Sequence, residues 1–156
     1  MSDLIKSLQD TYAPRGICFG CGCLNSKGLK LKSYVKDSSI FASFTPEKHH
    51  EAFPGVLNGG IIGSVLDCHS NWAAAYFLMI DQKLSATPCT VTADYSIKLH
   101  RPTPTSEKLS VFAKLAKIDG NKAWIDAYIS IEEIKYASCT GLFVAVGEDH
   151  PAYHRW

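Results

Sequence analysis

Residues 51–79 read EAFPGVLNGGIIGSVLDCHSNWAAAYFLM, and this stretch sets the architecture of the chain. It begins with a Pro54-Gly55 turn, passes the glycine pair Gly59-Gly60, and continues into a segment, 61–79, that is apolar on nearly every side. A helix that is apolar on every side must be buried on every side. We therefore expect residues 61–79 to form a long central helix that the rest of the chain covers.

The remainder of the chain supplies strands. Period-two alternation and β-branched residues predict six strands, at 28–35, 40–44, 89–99, 109–115, 123–131 and 136–146. Tight turns are predicted at 37–39 and at Asp119-Gly120-Asn121. We also expect a short amphipathic helix at 2–10, an irregular loop at 14–25 and a polar loop at 45–53.

The resulting order, β-β-α-β-β-β-β, predicts the fold class. It is an α+β arrangement in which a curved antiparallel sheet wraps around one long central helix, the hotdog fold. We expect one domain over residues 1–156, in which 1–27 contribute the N-terminal helix and a Cys/Gly loop. The open edge of such a sheet favours association, so that a homodimer or homotetramer is expected.

Composition indicates an ordinary globular protein. The chain has 156 residues, 46% of them apolar and 20% charged, which allows one sizeable core. Its net charge is +1 and it has no basic run, so we expect no nucleic-acid partner. Asp67 and His69 interrupt the apolar segment, so we expect no membrane span. The opening residues, MSDLIK, lack the layout of a signal peptide, and a cytoplasmic location is therefore expected.

Three of the six cysteines, Cys18, Cys21 and Cys23, form a C-x-x-C-x-C cluster. In the absence of a secretory signal, reduced thiols are a better interpretation than disulfides. A structural zinc ion takes four ligands, commonly from two pairs, and here His49 and His50 would have to replace the missing second pair. We therefore expect a glycine-rich turn with small buried thiols and no metal.

Three stretches resemble hotdog-fold acyl-CoA thioesterases of the phenylacetate-pathway type. Residues 18–29, CFGCGCLNSKGL, are similar to the C-F-x-C-G-x-x-N-x-x-G-L opening of one subgroup. Residues 54–67, PGVLNGGIIGSVLD, resemble the family's P-G-x-x-H-G-G-x-x-x-x-x-x-D start of the central helix. Residues 92–102, TADYSIKLHRP, resemble the strand that ends in Arg-Pro. With the strand order, the resemblance covers most of residues 18–146.

The resemblance implies an acyl-CoA thioesterase that uses water as its second substrate and needs no metal or other cofactor. Asp67 would act as general base or nucleophile, and the backbone N–H of Gly59 would bind the thioester oxygen. Thr92 would help to place the attacking water or the carboxylate. Asn58 stands where the family has His, and an Asn side chain can donate a hydrogen bond but cannot carry a proton at neutral pH.

The residues themselves support part of this assignment. A helix N-terminus offers free N–H groups and the positive end of a dipole, which suit a developing oxyanion. Gly59 and Gly60 would let a substrate approach the backbone closely, although tight packing alone also explains a glycine pair. Asp67 follows Gly59 by eight residues, or about 12 Å along a helix. One carbonyl cannot touch both, so the spacing predicts a composite site between antiparallel helices of a dimer.

Further residues are candidates for substrate binding. Asp67 among apolar neighbours either faces a polar cleft or is held by local partners. His69 belongs to the cleft wall or to a polar corner of the core, and His50 lies on the loop before the helix. Lys98 and Arg101 either meet coenzyme A phosphates or form a solvated strand end. The substrate-binding candidates are Gly60, His50, His69, Lys98 and Arg101.

The sequence is also compatible with two other functions. A hotdog dehydratase or hydratase would need an Asp–His pair, and His69 would have to supply the imidazole although its spacing from Asp67 turns it to another face of the helix. A non-catalytic acyl-CoA-binding protein is the other alternative, because Asn58 replaces the family's His.

Overall fold

The computed structural model describes residues 5–153, and in them one long helix packs on a six-stranded antiparallel sheet. Helix α1 spans Leu8–Tyr12 and helix α2 spans Gly59–Asp81. The strands are β1 Tyr34–Lys36, β2 Ser39–Phe44, β3 Glu51–Phe53, β4 Val56–Leu57, β5 Thr90–Leu99, β6 Leu109–Asp119, β7 Lys122–Ile131 and β8 Ile134–Ala145.

The order of the large sheet is β1-β2-β6-β7-β8-β5. Helix α2 packs against β2 and against all four of the long strands, β5 to β8. The core lies between the helix and the inner face of the sheet, where the largest fully buried side chains include Leu66, Leu78, Ile125, Ile129 and Phe143. The predicted hotdog arrangement, a curved antiparallel sheet around one long helix, is confirmed.

Strand β5 is an edge strand that pairs with β8 and runs antiparallel to α2. Thr92 contacts Asp67, and Ile97 lies against Gly63 one turn towards the helix N-terminus. Leu99, at the end of the strand, lies beside Gly59 at the first turn of the helix. This strand and helix therefore carry Asp67, Gly59 and Thr92 of the predicted catalytic set, and Asn58 directly precedes the helix.

The predicted strand at 28–35 is mostly wrong, because only Tyr34–Lys36 is a strand. The N–H groups of Leu29 and Leu31 donate to the carbonyls of Phe19 and Gly20, at 2.8 and 3.0 Å. Lys30 between them has a left-handed φ of 52°. The apolar positions of the pattern do include a buried residue, since Leu31 is 2% exposed. The backbone hydrogen bonds of this segment, however, go to the cysteine loop and not to another strand.

The N-terminal helix is shorter than predicted and begins later. The prediction covered residues 2–10, of which 2–4 lie outside the described residues, whereas α1 begins at Leu8. Ser7 caps it by accepting the Asp10 N–H at 3.0 Å. The predicted loop at 45–53 contains two short elements that the sequence did not indicate, a 3-10 turn at Lys48–His50 and strand β3.

Helix α2 is two residues longer at each end than the predicted segment. Asn58 is its N-cap, with an extended backbone and a side-chain oxygen that accepts the Gly60 N–H at 2.7 Å. This oxygen replaces a missing intrahelical partner. Within residues 5–153, no helix combines the length and hydrophobicity that a bilayer crossing needs.

Candidate active site

Asp67 lies midway along α2 and points towards β5. The Thr92 hydroxyl donates to its Oδ1 at 2.6 Å. Burial raises the pKa of the Asp67 carboxyl, and the Thr92 hydrogen bond acts in the opposite direction. The carboxylate is therefore a better proton acceptor than an ordinary surface Asp, and one hydroxyl fixes its orientation.

A pocket of about 190 Å³ opens beside this carboxylate, and we call it the Asp67 pocket. Its lining includes the polar residues Asp67, Asn71 and Thr92 and the aromatic residue Trp72. The Asn71 side-chain oxygen is buried and accepts no hydrogen bond from any residue in the described range 5–153. A buried acceptor of this kind needs a hydrogen-bond donor, such as an ordered water.

Asn71 is a site residue that the sequence reasoning missed. It follows Asp67 by four positions, and residues four apart share one face of a helix. That spacing was a usable signal, although an Asn in an apolar helix resembles many surface positions.

Gly59 is the first residue of α2, and its N–H has no hydrogen-bond acceptor among residues 5–153. The Gly60 N–H, by contrast, is taken by the Asn58 side chain. Gly59 therefore keeps a free donor at the positive end of a helix of 23 residues, which is the property that an oxyanion-binding group requires.

Gly59 faces a different depression from Asp67, which we call the Gly59 groove. It has a volume of about 440 Å³, and its lining includes Phe53, Leu99 and Arg101. The guanidinium of Arg101 lies 5.6 Å from the centre of the Tyr136 ring, over the ring face. The structure thus brings Gly59 and Arg101 together, and it brings Asp67 and Thr92 together at another position on the same helix.

Lys98 lines neither the Asp67 pocket nor the Gly59 groove. It lines a separate depression on the sheet surface together with Lys114, Lys135 and Asp126. His50 is 8% exposed, and its Nδ1 accepts the Glu47 N–H at 3.0 Å. Burial lowers the pKa of His50, with His49 adding to the effect. The described contacts of His50 are those of a residue that closes a turn.

His69 is the clearest correction to the predicted set. It is 0% exposed, and both ring nitrogens are used within the core. Nε2 lies 3.0 Å from the Ile40 carbonyl and Nδ1 lies 2.9 Å from the Ser33 hydroxyl. Because a carbonyl can only accept, Nε2 carries the proton and Nδ1 accepts from Ser33. No substrate in either depression reaches His69, and neither an Asp67–His69 pair nor a Cys68–His69 dyad forms.

The cysteine cluster also differs from the expectation. Cys21 is buried, but Cys18 is exposed and Cys23 is half-buried. Cys68, from helix α2, approaches Cys18 and Cys21 so that the three sulfur atoms lie within 4.8 Å of one another. His49 and His50 belong to a separate group with Glu47. Nothing in the local sequence links Cys68 to residues 50 positions earlier.

Comparison with known proteins gives a consistent set of relatives. No protein-family model matches the chain. The rat acyl-coenzyme A thioesterase THEM4 is 24% identical over 117 residues, which are 74% of this chain and 46% of the rat protein. The mouse protein of the same name is 27% identical over 105 residues. The chain therefore spans less than half the length of these relatives.

Solved structures show the same relationship. A thioesterase superfamily protein from Shewanella loihica is 28% identical with a TM-score of 0.63, over 75% of this chain and 91% of that one. The PaaI protein of the Escherichia coli phenylacetic acid degradation operon is 16% identical with a TM-score of 0.64, over 76% and 81%. The second likeness is one of fold.

Proposed function

We propose, from the premise that this chain is a hotdog-fold member of the thioesterase superfamily, that it hydrolyses an acyl-CoA thioester to a carboxylic acid and free coenzyme A. The observation that carries the proposal is the Asp67 carboxylate, half-buried in a pocket wall and held by the Thr92 hydroxyl. The names of the rat and mouse relatives, acyl-coenzyme A thioesterases, indicate the substrate class.

The proposed chemistry uses Asp67 in one of two ways. As a general base it takes a proton from water while the water oxygen attacks the thioester carbon. As a nucleophile it attacks that carbon itself and forms an anhydride that water then hydrolyses. In both cases the carbon–sulfur bond breaks and coenzyme A leaves as a thiolate, which becomes the thiol by taking up the proton that the attacking water gives up. The raised pKa of Asp67 suits the first role, because a base closer to the working pH removes a proton more readily.

The negative charge that develops on the carbonyl oxygen needs donors, and Gly59 is the proposed one. Its free N–H lies at the start of the helix, about 12 Å along the helix axis from Asp67. The two residues also face different depressions. We therefore propose that Gly59 of a second copy of this chain completes the site of the first.

The geometry of β5 supports such a pairing. Thr92 and Leu99 are equally distant in sequence from the step between Tyr95 and Ser96. If β5 pairs antiparallel with the β5 of a second copy about that step, Thr92 of one chain lies opposite Leu99 of the other. Thr92 lies beside Asp67, and Leu99 lies beside Gly59. In this pairing Asp67 of each copy therefore comes towards Gly59 of the other copy, and the dimer has two such sites.

Arg101 is the proposed contact for coenzyme A phosphates. It shares the Gly59 groove, and a guanidinium binds phosphate oxygens in a planar, bidentate manner. Lys98 is a weaker candidate because it lies in a separate depression. All six cysteines are free thiols, which suits the expected cytoplasmic location.

The test is a comparison of two substitutions on the same helix. Asp67→Asn keeps the shape of the side chain and a hydrogen bond to Thr92 but cannot accept a proton. We expect it to lower kcat for coenzyme A release by about 10²–10⁴-fold, the usual contribution of a general base. Asp81→Asn removes a carboxylate from the last residue of α2 and should leave kcat unchanged.

The assay follows coenzyme A release from short-chain, long-chain and aryl-acyl thioesters. If Asp67→Asn and Asp81→Asn match the parent, Asp67 is not part of the mechanism. If the parent itself binds acyl-CoA saturably but releases no coenzyme A from any of the thioesters, the binding protein that Asn58 suggests replaces the hydrolase.

A further inference from the structure

The three thiols beside the Asp67 pocket come from two distant parts of the chain. Cys18 and Cys21 lie in the glycine-rich loop 14–25, and Cys68 lies in α2. The sulfur atoms of Cys18 and Cys68 are 3.6 Å apart, and all three lie within 4.8 Å of one another. Thiolates bound to one tetrahedral zinc ion at about 2.3 Å are separated by about 3.8 Å. The Cys18–Cys68 distance is close to this value, and a separation of at most 4.8 Å for the other two pairs is compatible with three ligands of one ion.

The loop turns back on itself at Cys18, beside helix α2. The Cys18 sulfur lies within 4.8 Å of the sulfur atoms of Cys21 and Cys68. Zinc would displace the protons of these thiols, since a thiolate is the form of Cys that binds metals. The Gly22 N–H closes the turn on the Cys18 carbonyl at 2.8 Å.

Two glycines make this geometry possible. A Cβ at Gly20 would collide with the Cys68 sulfur, and a Cβ at Gly22 would collide with the backbone of Cys18. The loop is also fixed from outside, because Phe19 and Gly20 accept backbone hydrogen bonds from Leu29 and Leu31. The thiols are therefore held together by the fold before any ligand arrives, which lowers the cost of binding one.

The Cys21 sulfur has a further donor. The Trp72 indole N–H lies 3.3 Å from it, and Trp72 follows Cys68 by one helical turn. Donors of this kind around a ligand atom orient it and compensate part of its negative charge. A disulfide would join two of the three sulfur atoms and would leave the third without a role.

We propose that Cys18, Cys21 and Cys68 bind one zinc ion, with a fourth coordination position directed into the Asp67 pocket. All three cysteines line that pocket together with Asp67 and Thr92. Three protein ligands and one open position is the ligand count of zinc sites that accept water or a small ligand, and soft thiolates select zinc over magnesium or calcium. The site is independent of the proposed hydrolysis, which has no step at the metal.

Cys23 provides a matched control from the same loop. It is the third Cys of the C-x-x-C-x-C sequence, but its sulfur lies outside the cluster. The Lys32 ammonium donates to it at 3.0 Å, and it lies 3.5 Å from Asp10 Oδ1. Cys23→Ser therefore removes a thiol from the loop without removing a ligand from the proposed site.

The experiment is a zinc titration of the reduced, metal-free chain against a chromophoric chelator. We expect the parent and Cys23→Ser to bind one equivalent with equal affinity. Cys18→Ser and Cys68→Ser should bind at least about 100-fold more weakly, since even the loss of a residue behind a ligand costs about 10–100-fold. Circular dichroism checks that each variant is folded.

Cobalt substitution of the parent needs no variant. It should produce an intense thiolate-to-cobalt charge-transfer band that Cys23→Ser retains, and absence of this band would overturn the proposal. It would also be overturned if the parent bound zinc no more tightly than Cys68→Ser, or if Cys23→Ser weakened binding as much as Cys18→Ser did. A parent that binds no zinc but loses two thiols on mild oxidation would have a disulfide pair in place of a metal site.

Discussion

At the scale of single residues, burial of Asp67 has opposite effects on its proposed role as a base and on the stability of the fold. A carboxylate in a half-buried pocket is disfavoured in its charged form, and burial is the main reason that its pKa is raised. The same burial makes it a stronger base. The fold therefore tolerates at Asp67 a charge that most positions of an apolar helix exclude, and Thr92 compensates part of the cost through one hydrogen bond.

This conflict predicts a pH-dependent gain in stability for Asp67→Asn. Because the folded pKa of Asp67 is above its unfolded value, the carboxyl stabilises the folded chain at low pH and loses that contribution as the pH rises through the folded pKa. Near pH 7 the variant should melt at the same temperature as the parent or higher, and this advantage should disappear below the unfolded pKa of about 3.9. Thermal melts of parent, Asp67→Asn and Asp81→Asn across this range test it; a variant that melts well below the parent at neutral pH would contradict the assignment.

Asn58 combines two roles that can be separated by substitution. As the N-cap of α2 it accepts the Gly60 N–H, so Asn58→Ala should lower the free energy of unfolding by about 0.5–2 kcal/mol. Asn58→Asp keeps the accepting oxygen and is the control for the cap. Chemical denaturation of the three proteins measures the difference, and equal stabilities would show that the cap contributes nothing.

The activity of the Asn58 variants is a separate prediction. If the family's His acts mainly through a hydrogen bond, Asn58→His should keep or raise kcat/KM. Asn58→Ala should lower it by roughly tenfold at most, the value of one neutral hydrogen bond. If parent, Asn58→His and Asn58→Ala are equally inactive on all thioesters, the enzyme interpretation is wrong.

At the scale of elements, a buried polar chain joins the N-terminal segment to the central helix. The Gln9 amide bonds both the N–H and the hydroxyl of Ser33, at 2.8 and 3.1 Å. Ser33 in turn bonds His69, which donates to Ile40 at the start of the sheet. All three side chains are at most 1% exposed. This network holds the segment before β1 against α2, beside the cysteine loop.

The network predicts a loss of stability in mild acid. Burial lowers the pKa of His69 from 6.5 to about 4. Between these two pH values His69 is protonated in the unfolded chain but neutral in the folded chain. The folded state therefore loses stability as the pH falls through this window. The loss from this one group is about 3 kcal/mol. His69→Asn should be less stable at pH 7 but should show a smaller decrease between pH 7 and 4.

The control for this prediction is His49→Asn, which changes an exposed imidazole one residue from His50. Urea unfolding at several pH values should give parallel curves for His49→Asn and the parent. If His69→Asn also follows the parent curve, the loss of stability in mild acid does not come from His69.

The elements that the sequence predicted well are those whose partners follow from local pattern. The α2 helix, the β6–β7 hairpin at Gly120 and strand β5 all fall close to their expected limits. Residues 28–33 carried an equally regular alternation, yet their backbone bonds go to Phe19 and Gly20. Periodicity reports which side chains are buried and does not report where the backbone finds its partners.

The site shows the same limit. Asp67 and Thr92 could be paired because the resemblance supplied a register between helix and strand. Cys68 could not be joined to Cys18 and Cys21, since that contact depends on how a glycine-rich loop folds over the helix. For His69 the sequence left the cleft wall and a polar corner of the core as alternatives, and the second is correct; helical position alone does not reveal Ser33 and Ile40, which enclose it.

At the scale of the whole molecule, the single chain has the parts of the proposed site in two separate depressions. The Asp67 pocket holds the proposed base, and the Gly59 groove holds the proposed oxyanion donor and Arg101. Strand β5 runs along both and is an edge of the sheet. It exposes Tyr95 and Leu99, at 43% and 58%. An edge strand of ten residues with exposed apolar side chains is the type of surface on which proteins pair with another strand, and it is the interface that we propose for a second copy.

The last prediction follows from this geometry and compares the two edges of the sheet. Tyr95 stands beside the centre of the proposed β5–β5 pairing, so Tyr95→Lys would place two buried charges close together there. Val35 is 39% exposed on β1 at the opposite edge, so Val35→Lys makes a matched change where no pairing is proposed. We expect light scattering to give a dimer or tetramer for the parent and for Val35→Lys, and a smaller species for Tyr95→Lys.

Activity should follow the oligomeric state. Because each Asp67 would depend on the Gly59 of the other copy, Tyr95→Lys should lose coenzyme A release in step with dissociation and regain it at high protein concentration. Val35→Lys should keep the parental rate at every concentration. A parent that is a stable, active monomer would show that Gly59 and Asp67 do not need each other across an interface. Equal dissociation by Val35→Lys and Tyr95→Lys would move the interface away from β5.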